Sequence, residues 1–227
     1  MDLEYKKQFE GIDYEKPKLL LHICCAPDLV VPLIDLKNYF KLYLYWYNPN
    51  IQPYEEYARR YKEYIKLLNL EEWDYELVDS DGNLVKEFDD KIFNEYNIEE
   101  FYDKLYEYRK VVGYNCDDKA TLLKNFAKME EKDSPRCDIC YYMRLLEPAL
   151  VAKKLGIKYF TTTLLISPKK SVEKLNKYWQ IVATETGIKY LSFDFRKNNW
   201  FKRAADYTRE KWIWRQNYCG CGWSINY

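Results

Sequence analysis

Net charge is missing from this chain: 36 basic and 36 acidic residues cancel. The protein as a whole therefore makes no case for a polyanionic partner. Apolar runs of membrane-spanning length are missing too, and the start, MDLEYKKQFEGIDYEKPK, is polar where a secretory leader would carry an apolar core. The expectation is a cytoplasmic protein with no membrane partner. Its seven cysteines are then expected to be reduced, so that clustered ones point to metal or redox work rather than structural disulfides. Histidine is nearly absent, His22 being the only one. Internal repeats, low-complexity tracts and flexible linkers are not seen, which leaves residues 1–227 as a single domain.

What is present begins with a core, since 48% of residues are hydrophobic. Tyrosine is abundant at 24, beside 7 tryptophans and 10 phenylalanines, and rings with polar tips suit surfaces that are both apolar and wet. Charge is uneven along the chain. Residues 71–103 hold thirteen acidic side chains against two basic ones, a local balance of −11. Residues 195–215 hold seven basic (Arg196, Lys197, Lys202, Arg203, Arg209, Lys211, Arg215) against Asp206 and Glu210, a balance of +5. Such asymmetry fits a local nucleic-acid surface, and equally two solvated helix faces of opposite sign.

Alternation of elements gives the fold class. KPKLLLHI reads as a buried strand over 18–23, followed by a helix to about Asn38. KLYLYWYNPNI is a second strand ended by Asn48-Pro49, Pro53 opens a helix, and WDYELVD is a third strand. Residues 84–134 are charged, lack alternation and read as an inserted helical region. CDICYYMRLLEPALVAKKLG is a helix, KYFTTTLL a fourth strand, SPKKSVEKLNKYWQIVATETG a helix and IKYLSFDF a fifth strand. Residues 196–227 read as helical to about Trp214 and irregular around YCGCGW, completing the site. This order argues for a doubly wound α/β fold with a mainly parallel sheet and helices on both faces. Ligands in such sheets gather at the carboxyl ends of the strands, where His22, Cys24, Cys25, Asp28 and the stretch 161–167 are expected.

Six cysteines come as three close pairs: Cys24–Cys25, Cys137–Cys140 and Cys219–Cys221. The C-x-x-C of RCDICYYMR opens a helix, where free N–H groups favour thiolates. By itself that motif fits a zinc knuckle, a redox pair or cluster ligands. Three pairs offer more thiolate than a structural zinc or an iron–sulfur cluster takes, since each closes at four ligands. Cys116 in GYNCDDK lacks a sequence partner and reads as a buried small hydrophobe. His22 reads as a hydrogen-bonded structural residue, with metal ligation as the alternative.

Taken together, H-x-C-C-A-P (22–27), Y-N-P-N-I (47–51), R-C-x-x-C-Y-x-x-R-L (136–145), T-T-L-x-x-S-x-x-K (162–170) and R-Q-x-Y-C-G-C-x-x-S (215–224) resemble, in this order, the cobalamin-independent epoxyqueuosine reductases. The resemblance runs from about Leu19 to Ser224. It implies a HUP-like (Rossmann-like) fold and a tRNA-modifying iron–sulfur oxidoreductase. The implied reaction is two-electron removal of the epoxide oxygen from epoxyqueuosine in the tRNA anticodon, with an unidentified electron donor. Carried over by motif, Cys24, Cys25, Cys137 and Cys140 are the first choice of ligands to a 4Fe-4S cluster. Cys219 and Cys221 are then a redox-active pair, able to form a disulfide, or ligands to a second metal. Two departures matter: many members have cysteine where this chain has Asp28, and Lys197-Asn198-Asn199 stands where Lys-Gly-Gly is common, so that a different loop conformation is expected.

Asp28 offers a hard oxygen ligand for a second, mononuclear metal, expected to be iron, that would polarise the epoxide. Under that arrangement one of Cys24 and Cys25 leaves the cluster and Cys219 or Cys221 replaces it. The alternative for Asp28 is a cap on the helix after Pro27. WFKRAADYTREKWIWRQ fits anticodon-loop phosphates and stacked bases, or an amphipathic helix with Trp212 in the core. Asn48 and Asn50 shape a pocket or a turn. Thr162, Thr163, Ser167 and Lys170 contact ribose or phosphate, or cap a helix starting near Ser167. Two other functions compete. A tRNA thiolation enzyme of the same fold needs a glycine loop for pyrophosphate, which HICCAPD lacks. A non-catalytic zinc protein that binds RNA leaves the adjacent cysteines without a reason.

Overall fold

The structure is a computed structural model in which residues 16–88, 96–129, 134–168 and 170–225 are described. Its centre is β1 (Lys18–Ile23), whose Leu19, Leu20 and Leu21 are wholly buried. A strand apolar on both faces can only sit inside a sheet covered on both sides. It pairs in parallel with β2 (Lys41–Trp46) and β5 (Tyr159–Thr162), Leu20 lying opposite Tyr43 and Phe160. Truncating one of these leucines to alanine would cost about 2–5 kcal/mol, because the packed neighbours relax only in part.

The sheet has six strands in the order β4-β3-β2-β1-β5-β6. β3 (Tyr75–Val78) and β6 (Lys189–Tyr190) extend it in parallel, and β4 (Leu84–Val85) pairs antiparallel with β3. The chain winds outward from β1 through α1 (Ala26–Leu36) and α2 (Tyr54–Leu68), then returns to β5 on the other side. That reversal leaves a crevice at the carboxyl ends of β1 and β5.

Four local readings are corrected. Residues 84–85 are a sixth strand, not the start of a helical region. Gly82 (φ +73°) and the Asp79 carboxylate, accepting from the Asn83 amide at 2.7 Å, close a tight turn there. The fifth expected strand is paired only at Lys189–Tyr190, although Leu191, Phe193 and Phe195 remain buried. The helix expected from about Ser167, α6 (Val172–Thr186), is capped instead by Ser171, whose hydroxyl accepts from the Lys174 amide at 3.2 Å. Trp212, placed in the core by the amphipathic-helix reading, is 85% exposed.

Between β4 and β5, α3 (Ile98–Tyr108) and α4 (Lys119–Ala127) are capped by Asn97 and Asp118 and lie against α5 (Pro135–Lys154). They share a small second core of Phe101, Leu105, Leu122, Phe126, Ile139 and Met143. The rest of the expected 84–134 insertion, 89–95 and 130–133, lies outside the described residues, as do 1–15 and 226–227. Cys116, expected to be buried, is only half-buried, its thiol donating to the Asp118 carbonyl. α7 (Trp200–Glu210) docks on α1 through a forked ion pair of Arg203 with Asp35. Asn198 and Asn199, ahead of it, both have φ +55°. The loop thus holds the left-handed backbone natural to glycine, which asparagine tolerates best among other residues. No helix among the described residues is long and apolar enough to cross a membrane.

Candidate metal and substrate site

Adjacent side chains diverge in a strand, yet the Cys24 and Cys25 sulfurs lie 3.7 Å apart. They converge because β1 ends at Ile23 and Cys25 is already the residue before α1. Pro27 fits the first turn of that helix, where no N–H partner is needed. Asp28 follows Cys24 by four residues, so one helical turn returns its carboxylate to the same side. The Cys24 thiol donates to Asp28 Oδ2 at 3.2 Å, and ligand atoms of Cys24, Cys25 and Asp28 all lie within 4.8 Å of one another. The carboxylate's partner is thus a thiol, and the helix start has no side-chain cap, which removes the observation a capping role would need.

Thr163 holds Cys24 twice, accepting from its amide at 2.9 Å and donating to its sulfur at 3.1 Å. Gln216 Nε2 reaches the Cys25 sulfur at 2.7 Å. His22 is fully buried. Its Nε2 faces the Tyr47 carbonyl at 2.9 Å and must carry the hydrogen, so Nδ1 accepts from the Thr162 hydroxyl at 2.7 Å. Burial, helped by Arg144, lowers its pKa to about 3. Both ring nitrogens are occupied in a neutral ring, which settles the structural role over ligation.

Cys137 and Cys140 lie three residues apart on the first turns of α5, hence on one helix face. Cys219 and Cys221 flank Gly220, whose φ of +100° an L side chain rarely adopts. The segment is pinned to the Asn-Pro-Asn turn: Gln52 N donates to the Gly220 carbonyl at 2.7 Å, Ile51 bridges Cys221, and Arg60 donates to the Tyr218 carbonyl at 3.1 Å. All seven cysteines are free thiols, so the disulfide expected of Cys219 and Cys221 is not formed here.

Charge links Cys25 to Cys24 and Asp28, and Cys221 to Cys219 and Cys140. Burial, then Cys24 and Asp28, push the Cys25 thiol well above its ordinary value, and burial raises Asp28. Burial, then Cys219 and Cys140, push Cys221 up, while burial also raises Cys140, which feels Cys137 and Cys219. Burial alone would lower the Lys170 amine, but Cys219, Tyr141 and Cys140 outweigh it and hold the amine above its usual value. In both groups a second negative charge is opposed by the first. A bound cation reverses that, since thiols bind a metal as thiolates and give up their protons to solvent. The 3.7 Å between Cys24 and Cys25 also matches the roughly 3.7 Å separating two thiolates that sit about 2.3 Å from one tetrahedral ion. The residues present therefore fit metal.

A cavity of about 290 Å³ opens over this site. Cys24, Cys25, Asp28 and Cys219 line it, with the cations Arg60, Arg144, Lys170 and Arg215 against the lone carboxylate of Asp28. Trp200 and Phe201 line it at the start of α7, Phe201 being 55% exposed with Arg215 over its ring. Asn48 also lines it, anchored by Nδ2 on the Ile23 carbonyl at 2.8 Å and by Arg144 on its oxygen. Of the residues expected to meet ribose or phosphate, Ser167 and Lys170 line the cavity, whereas Thr162 and Thr163 are buried beneath it. Sequence reasoning missed Arg60, Arg144 and Gln216. Arg60 sits on a helix whose periodicity does not separate a buried arginine from a solvated one, and Arg144 and Gln216 stand in the motifs without an evident partner.

The family model described as Epoxyqueuosine reductase QueH matches residues 19–116 and 95–227. Among curated relatives, the Epoxyqueuosine reductase QueH of Staphylococcus epidermidis is 32% identical, covering 92% of this chain and 76% of that one. That of Thermotoga maritima is 28% identical over 91% of this chain and 90% of its own. That of Streptococcus pyogenes is 32% identical over 91% and 69%.

Proposed function

This chain belongs to the epoxyqueuosine reductase QueH family, oxidoreductases of tRNA queuosine biosynthesis, and from that premise we propose that it reduces epoxyqueuosine to queuosine in the anticodon of tRNA, using bound iron. The observation that carries the reading is the site itself: two buried thiols and a carboxylate at the floor of a cationic cavity, beside a second group of thiols. The balance is epoxide plus two electrons and two protons, giving the alkene and water, with electrons from an external donor.

Cys137, Cys140, Cys219 and Cys221 would hold a 4Fe-4S cluster, and Cys24, Cys25 and Asp28 a mononuclear iron. This departs from the motif-based first choice, which set Cys24 and Cys25 on the cluster. Its support is the mutual electrostatics of Cys140 with Cys137, Cys219 and Cys221, separate from the close Cys24–Cys25–Asp28 group. When bound, these centres supply electrons and a Lewis acid for the epoxide oxygen. The chain's own residues do the rest. Arg60, Lys170 and Arg215 supply positive charge for an anionic nucleotide, Trp200 and Phe201 offer apolar faces to a base, and Thr163 and Gln216 fix the two sulfurs. The HUP-like affiliation of the sheet belongs to the same reading; the strand order supports it.

The test is anaerobic purification with iron and sulfide analysis, followed by incubation with epoxyqueuosine-containing tRNA, a reductant and nucleoside mass analysis. A brown protein that forms queuosine is expected. A colourless zinc protein that binds tRNA and leaves the epoxide intact would refute the reading.

A further inference from the structure

The segment after α7 contains a tryptophan that the reaction as proposed does not use. Trp212 is 85% exposed, far above the other exposed large apolar side chains, such as Phe201 at 55% and Leu84 at 52%. Single exposed apolar residues are ordinary, but the backbone of this one is not. Its φ is +54°, in the left-handed region, at the point where α7 ends and glycine is the usual residue. A bulky side chain stands where local conformation disfavours it.

The position is also held firmly. The Trp212 amide donates to the Arg209 carbonyl at 3.3 Å and the Ile213 amide to Thr208 at 2.8 Å, closing the helix end. Ile213 is buried, and Lys66 of α2 donates to the Trp212 carbonyl. The backbone that carries the indole is thus pinned, and the ring faces solvent. Cations outnumber carboxylates in the segments that meet here: Arg209 and Lys211 are near Trp212 in sequence, Lys66 donates to its carbonyl, and Arg59 stacks over Trp214 at 3.8 Å. Three carboxylates oppose these four cations: Asp206 pairs with Arg209, Glu210 with Lys211, and Glu63 accepts from the Trp214 amide. Three residues further on, Arg215 lines the cavity. At about 3.3–3.6 Å per residue, its Cα lies no more than roughly 11 Å from that of Trp212.

We infer that Trp212 is a stacking platform for an unpaired base of the tRNA, a neighbour of the nucleotide that enters the cavity. The inference rests on the reading of tRNA as substrate. A π-face framed by cations suits a single-stranded RNA loop, because every base can stack on it while its phosphates meet the lysines and arginines. Such a platform adds affinity without reading sequence.

The experiment measures binding of unmodified tRNA transcript to the metal-loaded full chain, anaerobically, at several salt concentrations. Trp212→Ala and Trp212→Gly should each weaken binding roughly 5- to 150-fold, the range of one base stacked on one aromatic ring. Trp212→Phe should retain most of the affinity. The slope of log K against log salt should stay at the wild-type value in all three, because stacking releases no counterions, whereas Lys202→Glu should lower it. Trp212→Gly should melt no lower than wild type, since glycine accepts this backbone, so that lost binding is not lost folding. Unchanged affinity in the alanine and glycine variants, a changed salt slope, failure of wild type to bind tRNA, or a Trp212-dependent dimer in sedimentation would each overturn the inference. Failure of the functional reading looks different: Trp212-dependent binding with no queuosine formed leaves the platform and removes the reductase, while normal queuosine formation with Trp212-independent binding does the reverse.

Discussion

Gly220→Ala tests whether the Cys-Gly-Cys segment depends on one backbone position. At φ +100° the residue lies beyond the left-handed well that L residues can use, near +50° to +70°, and an alanine held there costs about 1–3 kcal/mol. Its Cβ would also stand 2.9 Å from Arg60 Nη1 and 2.9 Å from Ile51 Cγ1. Ile51 is 1% and Arg60 3% exposed, so neither has open space to move into. That crowding adds about 1–3 kcal/mol. The sum, about 2–6 kcal/mol, lowers the melting temperature by roughly 5–20 °C in a chain of this size. Gly113→Ala is the control: φ is +78° and nothing lies within 4 Å of the added carbon, so conformational strain acts alone. Circular dichroism melts of metal-free, reduced protein would compare the two without ligand stabilisation. Gly220→Ala should lose clearly more than Gly113→Ala, and on reconstitution should retain less iron, because Cys219 and Cys221 flank the distortion. A loss no greater than that of Gly113→Ala would refute the close-approach argument.

The other predictions concern ligands and surface. Cys137→Ala and Cys140→Ala should each lose cluster iron and the absorbance expected near 400 nm (roughly, for thiolate-to-iron charge transfer), while Cys116→Ala, half-buried and hydrogen-bonded locally, should keep both; spectra and iron analysis decide. Asp28→Asn should keep the cluster absorbance but lose about one iron per chain and epoxide reduction, since an amide is a poor anionic ligand; full iron and full activity would remove the carboxylate from the site. Lys202→Glu should weaken tRNA binding and reduce its salt dependence without lowering stability. Arg203→Glu should lower the melting temperature instead, because it sets a carboxylate against Asp35 and undocks α7 from α1. Comparing the two melting curves tests that division.

Periodicity made most of the sheet readable. A continuous apolar run such as LLLHI marks a strand buried on both faces, and Asn48-Pro49 and Pro53 punctuate the next two elements. Less visible was the turn at Asp79–Asn83, although Asp81-Gly82 is a hairpin signal; the charge around it masked a two-residue strand. Burial at Leu191, Phe193 and Phe195 without strand pairing is another limit, because hydrophobicity reports burial and not hydrogen bonding. Trp212 shows the opposite limit: of the two readings open for its segment, the amphipathic helix with this ring in the core fails, because the left-handed turn after α7 sets it in solvent.

By itself the sequence determined the winding of the sheet, the crevice at the end of β1, the chemistry of six paired thiols and a carboxylate, and the family. These depend on local spacing and residue type. Only the tertiary structure decided which thiols are neighbours. Cys24, Cys25 and Asp28 meet because a strand turns into a helix within one residue, whereas Cys140 feels the charge of Cys219, and Cys221 that of Cys140, only because the C-terminal segment is tied down beside the Asn-Pro-Asn turn. The neutrality of His22, the inward arginines and the outward tryptophan were likewise settled by packing. Burial and hydrogen-bond partners there come from residues distant in the chain, and sequence spacing carries no record of them.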